Sequence, residues 1–185
     1  MVCEPSSVAK ATIVELPMDG LGDLEPLWRG FYDHHIDVTP HLSDRARPFH
    51  EAWESRRETE TGWLQSEPGS FVLAARQDDR FLGYAFVRVR SGAGFAASWR
   101  FSDPLAELAT LAVLPAYRGC GIGSELMDAV EARLWERGIA DLAIGVVATN
   151  VDAIGFYERR GALPFQTQLV QRVEPNRATT RVPDA

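Results

Sequence analysis

The segment from Leu105 to Arg137 constrains the fold most. Leu105 to Leu114 is an apolar run with a single acid, Glu107, and reads as a buried strand. Pro115-Ala116-Tyr117 ends it, Arg118-Gly119-Cys120-Gly121-Ile122-Gly123 follows, and Leu126, Val130 and Leu134 then recur at steps of four with Met127 beside them. That spacing predicts a helix from about Ser124 to Arg137, stopped by Gly138. A strand, a glycine-rich turn and a helix in this order make a phosphate cradle. Glycines accept positive φ and let several N–H groups converge, and the start of the helix adds unpaired N–H groups with a partial positive charge. Arg118 contributes a full charge. The Ser124 hydroxyl can donate to a phosphate oxygen or cap the helix.

Other phosphate loops fit poorly. A P-loop ends in Gly-Lys-Ser/Thr, and no lysine stands here. A dinucleotide-binding turn needs G-x-G-x-x-G, whereas Gly119, Gly121 and Gly123 run G-x-G-x-G and Ser124 takes the third position. A kinase glycine loop belongs to a hairpin near the start of a much longer domain. Alone, the loop supports no more than a phosphate binder.

The flanking sequence supplies an α/β framework. Ala11 to Leu16 is a short strand, and Leu24, Leu27, Trp28, Phe31, Tyr32 and Ile36 form the stripe of an amphipathic helix ending before Pro40. Ser43 or Asp44 is placed to cap a second helix, with Phe49, Ala52, Trp53, Arg56, Glu60, Trp63 and Leu64 on one stripe. Strands Ser70 to Arg76 and Phe81 to Arg90 read as a hairpin, and residues 91 to 98 as a loop. Leu142 to Val147 is an apolar strand, Asn150 caps a helix to about Arg160, and Phe165 to Val173 reads as a last strand. A chain of 185 residues, 45% of them apolar, suffices for one domain, taken as residues 1–173, with a loosely held tail over 174–185.

Charge narrows the partners. The net charge is −7, and residues 1–70 hold 13 acids against 6 bases while the remainder holds 13 of each. Such a chain is ill-suited to phosphate-dominated nucleic-acid binding and better matched to a cationic partner, although an acidic surface also simply aids solubility. No run reaches the roughly 20 apolar residues of a membrane span, and the start lacks the apolar block of a secretory signal, so a cytoplasmic protein is expected. Cys3 and Cys120 have no metal-ligand spacing. Asp33-His34-His35, with Asp37, His41 and His50, does not read as a metal site, since adjacent helical residues diverge by about 100 degrees.

Leu111, Val113, Pro115, Arg118, Gly119, Gly121, Ile122 and Gly123 match the pattern L-x-V-x-P-x-x-R-G-x-G-I-G, and Asn150, Ala153, Phe156, Tyr157 and Gly161 match N-x-x-A-x-x-F-Y-x-x-x-G further on. Two motifs in this order closely resemble the GNAT family of N-acetyltransferases. The resemblance covers roughly residues 70 to 170. It implies a mixed, mainly antiparallel sheet flanked by helices, with central strands that splay to admit an acyl-coenzyme A, acetyl-CoA above all. Leu111, Ala112 and Val113 would then lie along the pantetheine arm, with the Leu111 N–H on the thioester oxygen, and Arg118 to Ser124 on the pyrophosphate. Asn150, Ala153 and Phe156 would contact the arm, although capping and helix packing explain them equally.

The resemblance also implies the chemistry. An amine is mostly ammonium near neutral pH and must lose a proton before it attacks a thioester. Glu107, the acid of the apolar strand, matches the general-base position of some family members. It stands four residues before Leu111, on the same face if no bulge intervenes, and the alternative is a solvent-end or arginine-paired acid, for instance with Arg100. Tyr157 stands where the second motif places a phenol for the departing thiolate. Cys120 fills a variable position, so direct transfer without an acyl-enzyme is expected, and no metal. In the family the first two helices wall the acceptor site, which makes Asp33, His34, Asp37 and Trp53 candidates to meet a cationic amine of a small molecule or protein. A monomer or homodimer is expected. A non-catalytic coenzyme A-binding regulatory module of the same fold is the alternative.

Overall fold

A computed structural model describes residues 11–173, so Cys3 and the tail from Glu174 lie outside the described residues. Contacts divide the chain into two compact units, one up to Thr149 and one from Asn150.

The first unit is built on a five-stranded sheet in chain order: β1 (Thr12–Glu15), β2 (Phe71–Gln77), β3 (Arg80–Arg90), β4 (Leu105–Val113) and β5 (Leu142–Ile144). Pairings are antiparallel except β4 with β5, which is parallel. The expected mixed, mainly antiparallel sheet is therefore present. The hairpin between β2 and β3 turns through Asp78 and Asp79, Asp78 taking a φ of 52°, a conformation that aspartate tolerates better than most residues.

Helices α1 (Glu25–Val38) and α2 (Phe49–Ser66) cover one face of the sheet. Leu21 and Leu24, in a 3-10 turn before α1, join Leu27, Trp28 and Trp53 against Val72, Ala74, Tyr84, Phe86 and Ala112. Each large aliphatic or Phe side chain removed from water there contributes about 1.5–3 kcal/mol, and each alanine methyl less. Ser43 and Asp44 do not cap α2. They lie in a 3-10 turn, Pro40–Arg45, and the helix begins after Pro48, whose ring bars helical backbone in Arg47 before it and presets φ for the turn that follows.

Helix α3 (Ile122–Glu136) packs on the opposite face through Ile122, Leu126, Met127, Val130 and Leu134. It begins two residues earlier than the periodicity predicts. Gly83 of β3 permits the close approach: a Cβ there would stand 2.8 Å from the Ala112 carbonyl oxygen and 3.2 Å from Ile122 and Leu126.

The second unit holds α4 (Val151–Arg159), and residues 162–173 have no regular structure. The strand expected over Phe165 to Val173 does not form. Phe165, Leu169 and Val173 would share one apolar face of such a strand, but all three side chains are exposed and no strand pairs with the segment among the described residues.

Candidate active site

Strand β4 changes neighbours in its middle. Strand β5 pairs with it only from Ala106 to Leu108, so beyond Leu108 that edge of β4 has no strand beside it among the described residues. The pairing thus stops at the place where the expected splay of the central strands would open. On the other edge the ladder to β3 slips at the same place: Val87 pairs with Leu108 and Phe86 with Thr110, leaving Ala109 as the extra residue of a bulge.

Glu107 and Leu111 would share a face only without a bulge, and the bulge removes that condition. Glu107 stands opposite Arg88, and Arg88 shares its face of β3 with Phe86 and Tyr84, which pack toward α1 and α2. Leu111 stands opposite Ala85, on the face toward α3. One inserted residue thus sends the two side chains to opposite sides of the sheet.

Glu107 is half-buried and its Oε2 accepts from Arg90 Nε at 3.0 Å and lies 3.5 Å from Arg88 Nη1. Its guanidinium partners are these two, not Arg100. Arg88 is also gripped by Glu67, at 2.9 and 2.5 Å, and its guanidinium carbon stands 4.1 Å from the centre of the Trp63 ring. The hydrogen bond to Glu67 raises the already high pKa of Arg88 and keeps it charged.

The glycine loop leaves the end of β4 through a short 3-10 turn, Pro115–Tyr117. Gly119 and Gly121 adopt φ of 77° and 88°, and among the described residues nothing beyond their chain neighbours lies within 4 Å of where a Cβ would stand on either. Gly121 is the N-cap of α3, so Ser124 sits inside the first turn and is not the cap. The first bond into the helix runs from the Glu125 N–H to the Gly121 carbonyl at 3.0 Å, which leaves the N–H groups of Ile122, Gly123 and Ser124 at the open end of the helix. The Cys120 N–H turns back to Tyr117 O at 3.4 Å. Arg118 folds back as well, donating from Nε to Val113 O at 3.3 Å and from Nη2 to Gly30 O on α1 at 3.2 Å. Ala112 is a core residue facing α1 and α2.

In the second unit Asn150 is buried and caps α4, its Oδ1 accepting from the Ala153 N–H at 3.2 Å. Ala153, Phe156 and Tyr157 are half-buried, and the Phe156 and Tyr157 rings meet edge to face at 5.1 Å. Burial pushes the Tyr157 phenol up to about 12, so it keeps its proton well above neutrality.

The α1 and α2 face holds a polar group that the sequence reading passed over. Glu60 is fully buried, its Oε1 accepting from Arg56 Nε at 2.8 Å and from the Thr110 hydroxyl at 3.2 Å. Arg56 Nη2 donates to the Ala109 carbonyl at 2.8 Å and also to Thr110 Oγ1. Burial raises the pKa of Glu60, and Arg56 opposes that rise. The signal was in the stripe of α2, where two charged residues four apart occupy positions otherwise held by aromatic and aliphatic side chains. His35 of α1 is held down to about 4, first by burial and then by the charges of His34 and Arg56. Its ring lies 4.0 Å from that of Phe31.

A model of the acetyltransferase (GNAT) family matches residues 31–162. The [ribosomal protein bS18]-alanine N-acetyltransferase of Escherichia coli (strain K12) is 34% identical over 90 residues, and the chain spans 49% of its own length and 60% of that relative's in the match. Mycothiol acetyltransferase of Acidothermus cellulolyticus is 31% identical over 146 residues, 77% of this chain and 41% of that one. Among solved structures, AAC(6')-Iy in complex with the bisubstrate analogue CoA-S-monomethyl-acetylneamine superposes with a TM-score of 0.62 at 18% identity, over 90% of this chain and 99% of that one.

Proposed function

The chain belongs to the acetyltransferase (GNAT) family, and from that premise we propose that it transfers an acetyl group from acetyl-CoA directly to an amine of a small molecule or protein. The observation that carries this reading is the loop running from the open edge of β4 into α3. Its left-handed Gly119 and Gly121 leave clear space where side chains would stand, and three helix-start N–H groups stand together there. This is the donor set a pyrophosphate needs. Arg118, Cys120 and Ser124 flank it, and Leu111, Ala112 and Val113, paired with β3 on one edge, lie on the stretch of β4 whose other edge has no strand beside it among the described residues. A relative's solved complex with a coenzyme A conjugate lends support for the same ligand class.

In this reading the Leu111 N–H holds the thioester oxygen as negative charge develops on it. Glu107 takes the proton that the attacking nitrogen must lose. The neutral nitrogen then bonds to the acyl carbon and releases its second proton to solvent, the carbon–sulfur bond breaks with its electron pair on sulfur, and Tyr157 protonates the departing thiolate and is reprotonated from solvent. What favours Glu107 is its side of the sheet. The bulge turns it toward α1 and α2, the helices assigned to the acceptor, while Asp33, His34, Asp37 and Trp53 belong to those same helices. What favours Tyr157 is its place in the second motif and a phenol that stays protonated. Asn150, Ala153 and Phe156 complete that motif and are assigned to the pantetheine arm.

The test is incubation with acetyl-CoA and a broad amine library, following thiol release, beside calorimetric titration with acetyl-CoA. Release that depends on a particular amine is the expected result. Tight acetyl-CoA binding without release on any amine would sink the enzyme reading.

A further inference from the structure

Ala109 is the residue at which both edges of β4 change character. The ladder to β3 skips it, and cover by β5 stops just before it. A residue left out of a ladder has a carbonyl to satisfy elsewhere. That carbonyl accepts from Arg56 Nη2 at 2.8 Å, and the same guanidinium engages the Thr110 hydroxyl next along the strand. Arg56 is in turn held by Glu60, one turn further on α2, through Nε to Oε1 at 2.8 Å, and Thr110 closes the ring by donating to the same oxygen at 3.2 Å. The guanidinium lies over Trp63, 5.3 Å from the ring centre. One arginine from a helix therefore grips two successive residues of β4, and the next residue is Leu111.

Stability alone gives such a group little purpose, because a buried ion pair is commonly replaced by well-packed apolar side chains without loss. Its donors instead converge on the point that sets where the rest of β4 lies. We propose that Arg56, clamped by Glu60, is a positioning residue for acyl transfer: it fixes the Ala109 bulge and thereby the direction of the Leu111 N–H along the open edge. This rests on the reading of Leu111 as the thioester donor. It also ties α2, a wall of the acceptor side, to the acyl-binding strand.

The test compares wild type with Arg56→Lys and with the double variant Arg56→Met, Glu60→Met, which leaves no buried charge behind. Both are expected to melt as folded proteins and to bind coenzyme A, the probe without an acyl group, within about threefold of wild type, since the glycine loop is untouched. Turnover should fall about 10- to 100-fold in kcat, the scale of a small misplacement of a reacting group. Methylguanidinium added to Arg56→Ala should restore part of it. A purely structural role would lower melting temperature without that split between kcat and coenzyme A binding. Independently of activity, the Ala109 carbonyl resonance should move upfield in the double variant while that of Ala75, on β2 and outside the gripped pair, stays. Turnover of the double variant within twofold of wild type, or an unmoved Ala109 resonance, overturns the proposal. If the wild type itself neither binds acetyl-CoA nor turns over, the acetyltransferase reading falls, and the Ala109 resonance still decides whether Arg56 sets the bulge.

Discussion

Arg90 reaches diagonally across the sheet to Glu107, Nε to Oε2 at 3.0 Å, although its cross-strand partner is Leu105, while Arg88 directly opposite stands at 3.5 Å. A half-buried carboxylate between two guanidiniums is either a structural ion pair or a held base, and substitution separates these. Glu107→Gln keeps the shape and removes the proton acceptor. Pairs this exposed contribute about 0–1 kcal/mol to stability, so melting should shift little. As a base, Glu107 should account for about 10²- to 10⁴-fold in kcat. Thiol-release kinetics beside a thermal melt give both numbers, and an unchanged kcat would return Glu107 to the ion pair alone.

The Tyr157 phenol, pushed up to about 12 by burial, has a folded pKa above its unfolded value of 10. Its contribution to stability is therefore fully present below pH 10 and is lost as pH rises toward 12. In a difference spectrum at 295 nm between wild type and Tyr157→Phe, no tyrosinate signal from this residue should appear by pH 10.5. In the proposed role as acid, loss of Tyr157 should lower kcat about 100-fold, with little change in acetyl-CoA affinity. An early tyrosinate signal would mean that the phenol is not shielded as described.

His35 shows the opposite sign. Burial, then the charges of His34 and Arg56, hold it down to about 4 against an ordinary 6.5. Stability from the neutral ring is present above pH 6.5 and is lost as pH falls toward 4. The His35 Cε1–H resonance should stay constant between pH 5.5 and 7.5, and His35→Gln should flatten the acid side of the stability profile. Titration of that resonance near 6.5 would show that the ring is not held neutral.

Most of the strands, the helices and the glycine loop were legible because each rests on a repeating signal: apolar runs, three- and four-residue steps, glycines before a helix; the mixed sheet that joins them followed from the family resemblance. That Glu107 and Leu111 fall on opposite faces was not legible, for a different reason. Counting faces along β4 assumes an unbroken ladder, and Ala109, an alanine in an apolar run, carries no mark of the extra residue it supplies. The bulge becomes visible only through its partner, Arg56, fifty-three residues earlier on another element. The start of α2 was missed for a local reason: Ser43 and Asp44 are good caps, but Pro48 decides where helical backbone begins. The absent last strand is a tertiary matter, since β-branched and aromatic residues make a strand only where an edge and a buried face receive them.

Two glycines test the loop against the scaffold beneath it. Gly121 has φ of 88°, and among the described residues Gly121→Ala meets no neighbour beyond the adjoining chain, so the strain is in the backbone, at about 1–2 kcal/mol. Gly83 is the reverse: its backbone is ordinary, but an added Cβ meets the Ala112 carbonyl at 2.8 Å, and forced overpacking costs about 1–3 kcal/mol. Both variants should therefore melt earlier in calorimetry. Only Gly121→Ala turns the N–H groups that the cradle needs, so coenzyme A affinity should weaken by about tenfold there, the loss of roughly one hydrogen bond. Gly83→Ala should bind coenzyme A as wild type does at temperatures below its melt. Equal weakening in both would mean that the loop owes its binding to the packing of α3 on the sheet and not to its own left-handed backbone.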